Sequence, residues 1–188
     1  MEHILIGYNN ASNSDLHFFF ESCADDAKQF CVNNNHTYEP ICPPDLAEWS
    51  KTPNINTFSI FFFASHGDSE GIYNENYHDI VSTRTTNYDL AGKTLYAVSC
   101  MCGDKLMPEL KRIGLNTFVG YDGPLRIVES EPMFRECAME GLKAILEGEE
   151  KAVAKKRMID KYTEYINNTD DENIQMYLRD NREHLCVE

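Results

Sequence analysis

The stretch Phe58–Gly71, FSIFFFASHGDSEG, decides how the rest of the chain is read. An apolar and aromatic run from Phe58 to Phe63 stops abruptly at Ala64-Ser65-His66-Gly67. A short apolar run bounded by polar turn residues predicts a buried central strand. His66 then stands where that strand leaves the sheet, the position at which open α/β sheets place their chemistry. A second stretch, Thr94–Gly103, TLYAVSCMCG, repeats the design and ends in Ser99-Cys100. One strand end carries an imidazole and the other a thiol. If the strands are parallel, both groups lie at the same edge of the sheet.

Working outward, His3–Gly7 predicts a first strand. The polar turn Asn9–Ser14 follows, with Ser14 or Asp15 able to cap a helix. Leu16, Phe19, Phe20, Cys23, Ala27, Phe30 and Cys31 recur at the spacing of one helix face, to about Val32. Thr37–Ile41 reads as a strand, Pro43-Pro44-Asp45 as the start of a short helix through Trp49, and Gly71-Ile72-Tyr73 as a short strand or hairpin arm. Glu75–Asn87 has little periodicity and reads as a loop. Asp104–Ile113 predicts a helix against which Pro108 counts mildly, and Asn116–Gly120 predicts a strand ending in the turn signature Tyr121-Asp122-Gly123-Pro124. Helical spacing returns over Pro132–Leu146, Glu149–Asn167 and Ile174–Leu185. Strands alternating with helices predict an α/β fold, a mostly parallel central sheet with helices on both faces. The 188 residues suit one domain, 1–188, with a mainly helical part from about residue 131 onward.

The formal net charge is −14, from 17 basic and 31 acidic residues. Such a surface repels phosphate backbones and argues against nucleic-acid binding. It serves solubility, or attracts a basic partner. Seven Cys without any C-x-x-C pair give no support to a disulfide framework or a zinc ribbon, so neither a metal nor another cofactor is expected. Reduced thiols point to a cytoplasmic protein. The N-terminus has neither the basic region nor the long apolar core of a signal peptide, and no apolar run is long enough to span a membrane.

A cysteine nucleophile needs an ionised sulfur, a base or ion-pair partner, and donors for the oxyanion. For Cys100, His66 can be the partner. A helix beginning just after Gly103 would lower the thiol's pKa, and the backbone N–H groups of Gly67 and Cys100 can be the donors. Each residue also has a plainer reading. A Cys at a strand end is more often core packing, and a His can be a satisfied turn residue.

Two motifs carry a resemblance. Phe62–Tyr73, FFASHGDSEGIY, resembles the caspase pattern in which an apolar strand ends in S-H-G and leads to a short I-Y strand. Val98–Asp104, VSCMCGD, resembles the nucleophile strand of gingipain-type and CHAT-type members of the same group, the clan CD cysteine peptidases. Caspases proper carry Q-A-C-x-G, which is absent here. His66 and Cys100 are thirty-four residues apart, against about 50 in caspases. The resemblance covers roughly Ile4 to Ile145 and implies a caspase-like three-layer sandwich. It implies a peptide-bond hydrolase, with His66 as catalytic imidazole, Cys100 as nucleophile, and Gly67 and Cys100 as oxyanion donors. It also implies a dedicated protein substrate, with a regulatory protein partner, in a controlled pathway such as prokaryotic antiviral defence or cell death.

Asp122 is the acidic residue nearest the expected sheet edge. A buried carboxylate there would favour cleavage after a basic residue, and simple turn chemistry is its other reading. Cys102 would share the face of Cys100 if the segment is extended, as packing or as a resolving thiol. Two rival functions follow: a catalytically silent caspase-like adaptor, and a thiol redox protein using Cys100 and Cys102, for which C-x-C lacks the usual geometry.

Overall fold

The computed structural model describes residues 1–84 and 89–188. Its centre is a six-stranded sheet built from β1 (His3–Tyr8), β2 (Thr37–Ile41), β3 (Ile60–Ala64), β7 (Thr94–Val98), β8 (Thr117–Tyr121) and β9 (Leu185–Val187), in the order β2-β1-β3-β7-β8-β9. All neighbours pair parallel except β8 and β9. A second, antiparallel sheet of three short strands comprises β4 (His66–Asp68), β5 (Gly71–Tyr73) and β6 (Asp79–Ser82). The helices are α1 (His17–Asn33), α2 (Leu106–Arg112), α3 (Pro132–Leu146), α4 (Lys151–Asn168) and α5 (Glu172–Glu183).

The central strands are apolar on both faces because both faces are covered. Ile4, Ile6, Ile60, Phe62, Ala64, Tyr96, Val98, Val119 and Tyr121 point to one side, where α1, α3, α4 and α5 pack. Leu5, Phe61, Phe63, Leu95, Ala97 and Phe118 point to the other, against α2, the 3₁₀ turn Asp45–Lys51 and the small sheet. The result is an α/β three-layer sandwich. Trp49 ties the second side together, donating its indole N–H to the Ile80 carbonyl at 2.6 Å.

Several local expectations change. Glu75–Asn87 is not loop throughout: Asp79–Ser82 forms β6, and residues 85–87 lie outside the described residues. Neither Ser14 nor Asp15 caps α1. Its N-cap is Leu16, held at φ 64° in the left-handed region with no side-chain cap. The helix after Cys100 starts at Leu106, two residues later than expected, so Pro108 falls in its first turn, where proline is tolerated. Among the described residues, no helix is long and apolar enough to cross a membrane.

Candidate active site

The register of the sheet brings the two motifs together. β3 and β7 are parallel neighbours with Ala64 opposite Val98, so His66 and Cys100 each lie two residues beyond paired positions, at the same edge. The Ser65 N–H still donates to the Val98 carbonyl at 3.2 Å, extending the pairing one step past the strands. The following residues stay close. A Cβ built on Gly67 would lie 2.2 Å from Ser99 Oγ and 2.9 Å from the Cys100 carbonyl oxygen. Only glycine lets the two segments approach this far.

His66 is half-buried on the α1 side of the sheet. Its Nε2 is 2.8 Å from the hydroxyl of Ser14, and the edge of Phe20 meets the ring at 5.2 Å between centroids and 88° between planes. Burial pushes the imidazole pKa below its ordinary value of 6.5, while the carboxylate and backbone carbonyl of Asp15 pull it upward without prevailing.

Cys100 is half-buried and faces the same layer. The backbone of Leu125, in the loop after β8, holds its sulfur. The Leu125 N–H donates to Sγ at 3.4 Å, and the thiol lies 3.8 Å from the Leu125 carbonyl oxygen. Burial raises the Cys100 pKa above 9.0, and the hydrogen bond from Leu125 opposes it only in part. The helix-lowered thiol expected from sequence is therefore absent. α2 starts six residues beyond Cys100 and has only seven residues, and burial is the largest influence on the thiol. Burial thus disfavours the charged form of both groups.

Cys102 is not on the face of Cys100. Met101 adopts φ 57°, and this left-handed residue turns the chain so that Cys102 is fully buried in the opposite core, its pKa pushed up to about 12 by burial. Asp122 reaches the same sheet edge but is half exposed, and its Oδ1 is 2.9 Å from Nδ1 of His184, just before β9. Of the two readings the sequence left for Asp122, the buried, pocket-facing carboxylate is not found, and the residue sits exposed at the turn. The strand end leaves Asp122 in solvent, where it ties the last strand to the end of β8.

Two residues here are assigned no role in the site by the sequence. Ser14 is one. The other is Asn181 of α5, fully buried, whose amide accepts from the Arg126 N–H and donates to the Arg126 carbonyl, both at 2.8 Å. This clamp fixes the loop that holds Cys100. No local sequence signal marks a helix Asn as such a clamp, because its partner lies 55 residues away. Asn181→Ala removes a fully buried amide and both of its part-buried hydrogen bonds to the Arg126 backbone, so it is expected to cost about 1–3 kcal/mol in chemical denaturation. A loss below 1 kcal/mol would show that water replaces the amide.

A cavity of about 370 Å³ lies between the first turn of α1, at Phe18, Phe19 and Ser22, and the start of α3, at Glu131, Pro132 and Arg135. Among the described residues, no group of three or more His, Cys, Asp or Glu is placed to hold a metal ion. In comparisons with known proteins, no family model matches the chain and no curated protein matches its sequence.

Proposed function

We propose that the chain is a cysteine endopeptidase in which His66 and Cys100 act together on a protein substrate. The observation that carries this reading is the register of β3 with β7. It sets an imidazole and a half-buried thiol at one sheet edge, next to a glycine that admits no side chain. The cavity between α1 and α3, at the end where β1 and β8 deliver the chain into those helices, has room for a substrate side chain.

The chemistry starts from a neutral pair. His66 takes the thiol proton as the sulfur attacks the peptide carbonyl carbon. The carbonyl electron pair moves to oxygen, where the N–H groups of Gly67 and Cys100 receive it. Collapse of this intermediate breaks the C–N bond, and the imidazolium gives its proton to the departing amine. Water then attacks the thioester, losing a proton to His66. The carboxylic acid leaves and the thiol is restored. A neutral pair avoids burying two unsolvated charges in the resting state.

A peptidyl chloromethylketone is expected to label Cys100, with labelling falling at least tenfold in His66→Ala. The pH dependence distinguishes the resting states. Raising the pH through the thiol's pKa creates thiolate, and that pKa lies above 9.0. Alkylation by iodoacetamide should therefore climb steadily through pH 9. Hydrolysis needs unprotonated His66, so its acid limb should fall below pH 6.5. A flat alkylation rate between pH 5 and 8 would instead indicate a preformed ion pair. Failure of Cys100 to label at all would favour a silent adaptor.

A further inference from the structure

We propose that Ser14 is the positioning residue for His66, its hydroxyl accepting the Nε2 hydrogen and passing its own to the Asp15 carbonyl, so that Nδ1 carries the free lone pair. The inference rests on reading His66 as the base of a peptidase. Ser14 Oγ is 2.8 Å from His66 Nε2 and 3.1 Å from the Asp15 carbonyl oxygen. A hydroxyl has one hydrogen to give. The Asp15 carbonyl can only accept, so it takes that hydrogen. The oxygen's lone pairs then face Nε2, which must be the protonated nitrogen.

The surroundings make this bond hard to replace. Ser14 is 5% exposed, so little water can stand in for its hydroxyl. Its backbone is pinned on both sides: its N–H donates to the Ala11 carbonyl at 2.8 Å, and its carbonyl is 2.9 Å from Nδ1 of His17. Leu16, in the left-handed region, takes the N-cap position of α1 and leaves Ser14 free of the capping role its sequence context predicts. Phe20 closes the ring from the side. The imidazole can therefore neither rotate freely nor exchange its nitrogens without losing a buried hydrogen bond. Once His66 holds the second proton, the same hydroxyl still accepts from Nε2, so the bond strengthens as charge develops.

Nitrogen-15 NMR of the His66 ring and steady-state kinetics test this together. In the wild type, Nε2 should carry the protonated signature and Nδ1 the lone-pair signature. Ser14→Ala should blur that distinction and lower kcat about 10–100-fold with little change in KM, the scale of lost supporting hydrogen bonds. Ser14→Thr, which keeps the hydroxyl, should restore most of the rate. A protonated Nδ1 in the wild type would overturn the proposal, as would a Ser14→Ala enzyme within threefold of wild type. The NMR arm reads the ring directly, so it stands even if no peptide is cleaved. A wild type without activity but with the expected ring signature would fault the peptidase reading alone.

Discussion

If the proposed peptidase reading holds, Cys100→Ala is expected to abolish peptide hydrolysis, by on the order of 10⁴-fold or more, while the protein stays folded. The size follows from the role, because removing a nucleophile removes every step that passes through the covalent intermediate. The small structural cost follows from the setting. Cys100 is half-buried at the margin of the core, and its sulfur contacts the Leu125 backbone. The change in stability should stay within about 1 kcal/mol. Cys102→Ala gives the opposite pattern. Its side chain is fully buried, and a Cβ added at Gly120 would lie 3.1 Å from its sulfur, so it occupies a packed position. Truncating it should cost about 1–2 kcal/mol and leave activity within about tenfold. Measuring kcat/KM and the urea midpoint on both variants separates the roles. Equal loss of activity in the two would point to paired thiols and against a single nucleophile.

Gly67→Ala should lower kcat/KM about 10²-fold. Its methyl group would meet three atoms at once: Ser99 Oγ at 2.2 Å, the Cys100 carbonyl at 2.9 Å and the Gly71 carbonyl at 3.0 Å. The hydroxyl can rotate away, and among the described residues it has no hydrogen-bond partner to lose. The two carbonyls belong to the main chain and cannot. The segment carrying His66 must therefore shift away from the one carrying Cys100. A misplacement approaching 1 Å at a reacting pair is worth about that much in rate. Strain of this kind should also cost about 1–3 kcal/mol of stability. The double variant Gly67→Ala/Ser99→Ala discriminates the cause. Recovery of activity there would place the clash in the hydroxyl, and wild-type activity in Gly67→Ala alone would remove the close approach from the mechanism.

What could be read from the residues depended on how local the cause was. The runs at Ile60–Ala64 and Thr94–Val98 were legible as strands because burial on both faces leaves continuous apolar sequence. The alternation with helices predicted a mostly parallel sheet, but that these two strands are parallel neighbours, with His66 and Cys100 at one edge, is seen only in the register of the structure. The strands β4 and β9 were missed because three residues carry no periodicity, and their partners are set by tertiary contacts. Ser14 was read as a cap because a Ser-Asp pair before an apolar periodic segment is the usual cap signature. The left-handed turn at Leu16 overrode it. A single left-handed residue, Met101, also sent Cys102 to the other face, since extended geometry fails wherever φ becomes positive. Asp122 illustrates a different limit. Its position at the sheet edge followed from the strand before it, whereas its exposure and its pairing with His184 depended on α5 and β9 returning to that edge.

The parallel order of the central sheet also governs when the site comes into being. β1 reaches β3, and β3 reaches β7, only after long intervening segments have been closed into loops, and such non-local pairings form slowly. The loop that holds Cys100 waits longer still, for α5 near the end of the chain to deliver Asn181. Partly folded chains therefore expose a thiol and an imidazole that have not yet met. The candidate site is therefore assembled from segments that span most of the chain, and it is complete only when β3, β7 and α5 are all in place.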